Sequence, residues 1–228
     1  MTPLTNRSSA ASDTGAVRAL ASFAAAAALL LLGCSARTPE PAPPAHLLLR
    51  AADLPGQGWQ PLPAPEGELQ ALPVPPPTWC GSPALHALPV ATIGFARDVH
   101  GPVAIHTVYA FASVEERDAA LDRARALAAS CDRWSEAAPD GTKVTVVVAA
   151  VRDRPLLDGG FEVALVASVP ERSPWLPWSR TVAVVGHGRY LSVFEFAALA
   201  DRLPDLLPEA EAALEHLARR IAETPEGR

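Results

Sequence analysis

The residues with the types to do chemistry are two glutamates, a pair of tryptophans and a pair of histidines. Glu162 shares its parity with Ala164 and Val166, and Glu195 shares its parity with Leu191 and Val193. A carboxylate on a partly apolar sheet face has a raised pKa and can serve as a general acid or base. The plainer reading is that each glutamate lies on a solvated face. Trp175-Leu-Pro-Trp178 places two indoles in a proline-bounded loop. They can clamp an apolar ligand, touch a membrane interface or a partner, or fold back over the end of a sheet. His100 and His106 have only Asp98 nearby, and zinc requires three or four ligands, so they read as turn and sheet residues. Gly186-His-Gly188 precedes a strand rather than a helix, which makes it a hairpin turn and not a phosphate cradle. No nucleophile elbow, zinc-protease helix, Walker loop or dinucleotide fingerprint occurs. The expectation is a protein that is not an enzyme, with no catalytic residue, metal or cofactor. Trp175, Trp178, Glu162 and Glu195 are its candidate ligand contacts.

Three cysteines divide between two tasks. Arg7 and Arg18 precede an uncharged run from Ala19 to Leu32, which Gly33 and Cys34 follow. That run is too short to span a ~30 Å hydrocarbon core, which takes about 20 residues, and it suits a signal-peptide core of ~7–15 residues. Leu31-Leu-Gly-Cys34 resembles the bacterial lipobox, with an aliphatic residue at −3, a small residue at −1 and the cysteine at +1. The resemblance implies that residues 1–33 are removed and that Cys34 is lipidated. A plain signal peptide and a cytosolic alanine-rich helix are the alternatives. Ser35–Ala45 holds four prolines and reads as an extended tether of about 30 Å at ~3.1 Å per residue. Cys80 and Cys131 remain, and in an exported chain they form one disulfide; a catalytic thiol is the lesser alternative.

Composition narrows the partners. Nineteen basic residues against 25 acidic ones give a net charge of −6, and Lys143 is the only lysine. No cationic cluster for nucleic acid stands out. Removing Arg7, Asp13 and Arg18 with the leader makes the body more acidic still, so the lipid rather than a cationic patch is expected to hold it at the membrane. Of the 24 prolines, 14 fall between Pro39 and Pro89, in the tether and in a long loop over 55–89.

The elements that must position these residues follow from periodicity. His46–Asp53 reads as a short helix. Val90–Ala96 and Val103–Phe111 read as strands. Ser113-Val-Glu-Glu116 opens a helix to about Ser130 as a capping box. Its expected apolar stripe is Val114, Leu121, Ala124, Leu127 and Ala128, with Arg117 among its solvated residues. Val144–Val151 is apolar on both faces and is expected at the sheet centre. Phe161–Val169, Arg180–Val185 and Tyr190–Phe196 complete about six strands, and a last helix begins near Leu207 or Pro208. Short connections force antiparallel pairing. The fold class is α+β, a central antiparallel sheet of about six strands with two long helices covering one face. The chain divides into a leader over 1–33, a lipidated cysteine and tether over 34–45, and one domain over 46–228.

Segment order carries a further resemblance. The lipobox, Leu48-Leu-Arg-Ala-Ala-Asp-Leu-Pro-Gly-Gln-Gly-Trp59, Cys80-Gly81 after a proline-rich loop, the stretch from Val108 to Leu121, Cys131 and the closing hairpin and helix resemble actinobacterial sensor-domain lipoproteins. These are related to the extracellular sensor domain of PknH-type Ser/Thr kinases. The resemblance implies an extracytoplasmic domain with a cleft for a ligand. The expected role is a membrane-anchored, non-enzymatic ligand-binding or sensing lipoprotein. Its partners would be the membrane, through the N-terminal lipid, and a small ligand or an envelope protein. A pure protein-interaction component and a hydrolase using Glu162 or Glu195 are the alternatives.

Overall fold

Alternating apolar residues pair into strands because each strand then buries one row of side chains on each side of a sheet. The computed structural model describes residues 47–62, 78–87, 89–98, 101–138, 140–171, 177–201 and 203–223. The leader, Cys34, the tether, His100 and Trp175 lie outside the described residues. The strands are β1 (Gln60–Pro61), β2 (Thr78–Trp79), β3 (Ser82–Pro83), β4 (Pro89–Ala96), β5 (Val103–Ala110), β6 (Arg133–Ala137), β7 (Lys143–Arg154), β8 (Gly160–Ser168), β9 (Trp178–His187) and β10 (Tyr190–Leu199). Two helices join them, α1 (Val114–Ala129) and α2 (Leu203–Glu223), with a 3-10 turn at Ala51–Asp53 where a short helix was expected.

One eight-stranded sheet has the order β1-β4-β5-β10-β9-β8-β7-β6, antiparallel throughout. The count exceeds the expected six because β6 and the two-residue β1 were unread. β6 carries Arg133, Ser135 and Glu136 around a single large apolar residue, Trp134, and lacks the apolar alternation that marks a strand. Pairing with β7, with Trp134 opposite Val146, makes it one. β7 is one strand in from the edge rather than central, and Val147 and Val151 are exposed. Gly188 and Arg189 form the expected tight turn between β9 and β10, with Gly188 at φ 51°.

The helices lie on opposite faces, not on one. Ala120, Leu121, Ala124 and Ala128 of α1 pack with Phe161, Val163, Val182, Val184, Leu191 and Val193. Ala210, Ala213, Leu214, Leu217 and Ile221 of α2 pack with Ala183, Val185, Phe194 and Phe196, joined by Leu47, Leu49, Leu54 and Trp59. The segment around Leu49 and Trp59 thus shares the second face with α2. Ser113 caps α1 by accepting the Glu116 amide hydrogen at 3.2 Å. Two assignments on α1 change. Val114 is exposed, and Arg117 is buried, reaching Asp158 at 2.9 Å. Room for its guanidinium comes from Gly186, where any side chain would collide with it. α2 begins a turn before Leu207, with Pro208 inside it. Pro208 is its sixth residue, past the first four amides that lack intrahelical acceptors, so its missing N–H costs the helix one internal bond.

Cys80 and Cys131 form the expected disulfide, their Cα atoms 5.8 Å apart. It ties the β2–β3 hairpin to the end of α1. Beside it Trp79 is fully buried, edge-on to Phe161 at 5.7 Å.

Candidate functional site

Register decides whether the two glutamates work together. Glu162 is opposite Ala183, which is opposite Phe194, so Glu162 faces α2. Glu195 is opposite Val182, which is opposite Val163, so Glu195 faces α1. The sheet stands between them, and no shared substrate can meet both carboxylates.

Both are buried, so the solvated reading fails for each. A buried carboxylate requires a counter-charge, and each has an arginine. Arg180 Nη1 meets Glu195 Oε2 at 3.0 Å, and its guanidinium lies 5.0 Å from the Trp178 ring. Burial pushes the Glu195 carboxyl up, against the opposing pull of Arg180. Burial, and then the Glu195 charge, raise the nearby Tyr109 hydroxyl to about 12. Trp178 is half-buried at the start of β9 and packs against the α1-side core. Its ring lies against the guanidinium of the internal ion pair.

Removing the cation tests this account. Arg180→Met is expected to lower stability by about 3 kcal/mol at neutral pH, because Glu195 is left buried and unpaired. The deficit should shrink in acid, where a protonated Glu195 needs no cation. Melting curves of wild type and variant at two pH values check both statements.

On the other face Arg154 bridges Glu162 and Glu211, each at 2.7 Å. Glu162, Thr181, Phe194, Leu207, Glu211 and Leu214 line a cleft between α2 and the sheet. Its free space is ≈ 10 Å³, about enough for one water and far below the ~300 Å³ of a ligand pocket. Among the described residues the buried Thr181 hydroxyl has no hydrogen-bond partner there, which suits a single water.

A third polar cluster holds the N-terminal segment. His106 is fully buried, and its Nδ1 accepts the Leu49 amide hydrogen at 3.1 Å. Asp53 receives the Arg50 amide at 2.7 Å and Arg220 Nη2 at 2.7 Å, and Arg220 also donates to the Leu48 carbonyl at 2.6 Å. Burial, and then Arg220, bring the His106 imidazole down to about 3, with Asp53 opposing. His106 is thus a neutral acceptor, and no group of three metal-ligating side chains occurs among the described residues.

Sequence reasoning missed the arginines that make these pairs. The signal was available for one of them: Arg180 shares its parity with Val182 and Val184, an inward cation awaiting an inward anion. Arg154 gave no such sign, since its carboxylates arrive from β8 and α2.

No protein-family model matches the chain, and no curated protein matches it. Among solved structures, the extracellular domain of PknH from Mycobacterium tuberculosis is similar at 10% identity and a TM-score of 0.42. The match covers 58% of this chain and 63% of that one, less than two thirds of its length. It is a distant likeness at the level of the fold.

Proposed function

We propose that this protein is an extracytoplasmic lipoprotein, anchored at Cys34, that acts as a non-enzymatic binding or sensing domain. The observation that carries the reading is the state of the two buried carboxylates. Each is neutralised by an arginine, and they sit on opposite faces of the sheet. They serve the fold and leave no acid–base pair for hydrolysis. The Cys80–Cys131 bridge supports export, because such bonds persist in oxidising compartments. No described helix is long and apolar enough to cross a membrane.

Recognition then belongs to the surface rather than to a deep pocket. A melting survey of the purified chain against envelope glycans, lipids and peptides is expected to find at least one class that raises the melting point. A flat response across the panel would end the small-ligand reading. Crosslinking in intact cells should in that case yield one dominant protein partner, and a diffuse pattern would end that reading too.

A further inference from the structure

The α2 face is unevenly covered. α2 and the segment around Leu49 and Trp59 bury its β5, β10 and β9 side, while the β8–β7–β6 side keeps an exposed apolar centre. Val147 and Val166 are direct cross-strand partners on that side, 38% and 41% exposed, and Arg133 is the partner of Val147 on β6. Lys143 and Arg152 share the same side of β7, opposite Ala137 and Glu162 respectively. Arg133, Lys143 and Arg152 are all exposed. None of the three side chains has an ion-pair partner among the described residues. The strand carboxylate on this side, Glu162, is buried, and Arg154 holds both it and Glu211 of α2. In a chain with net charge −6, one sheet face therefore carries three unpaired cations around two exposed valines.

We propose that this face, with Arg133, Lys143 and Arg152 framing Val147 and Val166, docks on an anionic lipid surface and lays the domain against the bilayer that tethers it. The inference rests on the reading of the chain as anchored at Cys34. Spacing selects the partner. Lys143 and Arg152 lie in one strand at about 30 Å, at ~3.3 Å per residue, too far apart to share a small anion. A plane of phosphate head groups meets all three at once. At the length expected from its sequence, about 30 Å, the tether keeps the face within reach of that plane and makes docking an intramolecular event. Each cation near an anionic membrane strengthens association about fivefold, so three give about a hundredfold, screened by salt. The lipid supplies attachment, and the cations supply orientation.

Lys143 makes the test direct, because it is the only lysine in the chain. The full chain is coupled through the Cys34 thiol to maleimide-bearing vesicles, so the tether is present whether or not cells acylate that residue. The vesicles are phosphatidylcholine alone, or phosphatidylcholine with about 30% phosphatidylglycerol. An amine-acylating reagent then reads Lys143 by peptide mass. The expected result is acylation at least about fivefold slower on the anionic vesicles, with the rate restored by about 0.5 M salt. The Val114→Lys amine, exposed at the start of α1 on the opposite face, should react equally on both surfaces and controls for surface pH. Arg133→Gln with Arg152→Gln should abolish most of the protection. Equal rates at Lys143, or protection that survives high salt or the double substitution, would overturn the proposal. Protection by soluble polyglutamate without protection by anionic vesicles would overturn it in favour of an acidic protein surface.

Discussion

Replacing Cys80 and Cys131 together by serine is expected to lower the stability of the domain by about 4 kcal/mol. The bridge joins residues 51 apart in sequence, and closing a loop of that length removes about this much conformational freedom from the unfolded chain. The effect is large against a total of ~5–15 kcal/mol. Local packing adds to it. Cys131 is buried, and Cys80 holds a left-handed φ of 52° next to the fully buried Trp79. Losing the bridge frees the β2–β3 hairpin, whose indole plugs the core beneath the end of α1. Denaturant unfolding of the double variant checks the figure, and a loss under about 1 kcal/mol would show that packing alone holds the hairpin.

Acid should destabilise the fold through His106. Its pKa is about 3 in the folded protein against 6.5 when exposed. The unfolded chain therefore binds a proton between those values while the folded protein does not. The His106 contribution is complete above pH 6.5 and is lost progressively as pH falls toward 3. Linkage puts the loss at about 3 kcal/mol by pH 4.5 and about 4 kcal/mol by pH 3. The groups facing the imidazole are Asp53 from the 3-10 turn and Arg220 from α2. His106→Asn keeps an acceptor for the Leu49 amide but cannot titrate. Its stability should fall less steeply than that of wild type between pH 6.5 and 4.5. Parallel pH profiles for the two proteins would contradict the assignment.

Much of this fold was legible because local pattern and tertiary burial agree. Strands such as Val103–Ala110 and Tyr190–Leu199 are rich in apolar and β-branched residues and are buried over almost their whole length, and Ser113 announces the start of α1. The failures have a common cause. β6 becomes a strand only because β7 pairs with it. Arg117 is drawn inward by a gap at Gly186 and by Asp158, 41 residues further on. Val144–Val151 is apolar on both faces for two different reasons. Val144 and Val146 are buried, whereas Val147 is exposed on the side that α2 leaves open.

The candidate site was half legible. Alternation placed Glu162 and Glu195 on sheet faces, but relative facing depends on register across three strands, which composition does not encode. Trp178 is placed by its sequence in a proline-bounded loop, either as a contact or folded back over the sheet, and β9 begins at it. The cationic face was hidden for the same reason. Arg133, Lys143 and Arg152 are scattered in sequence, and only the pairing of β6, β7 and β8 gathers them.

The central claim is attachment outside the membrane through Cys34, and the mass of the mature N-terminal peptide tests it most directly. Protein recovered from the membrane fraction is expected to begin at Cys34 and to carry a thioether-linked diacylglycerol. An unmodified Cys34 within a longer N-terminal peptide would contradict the account.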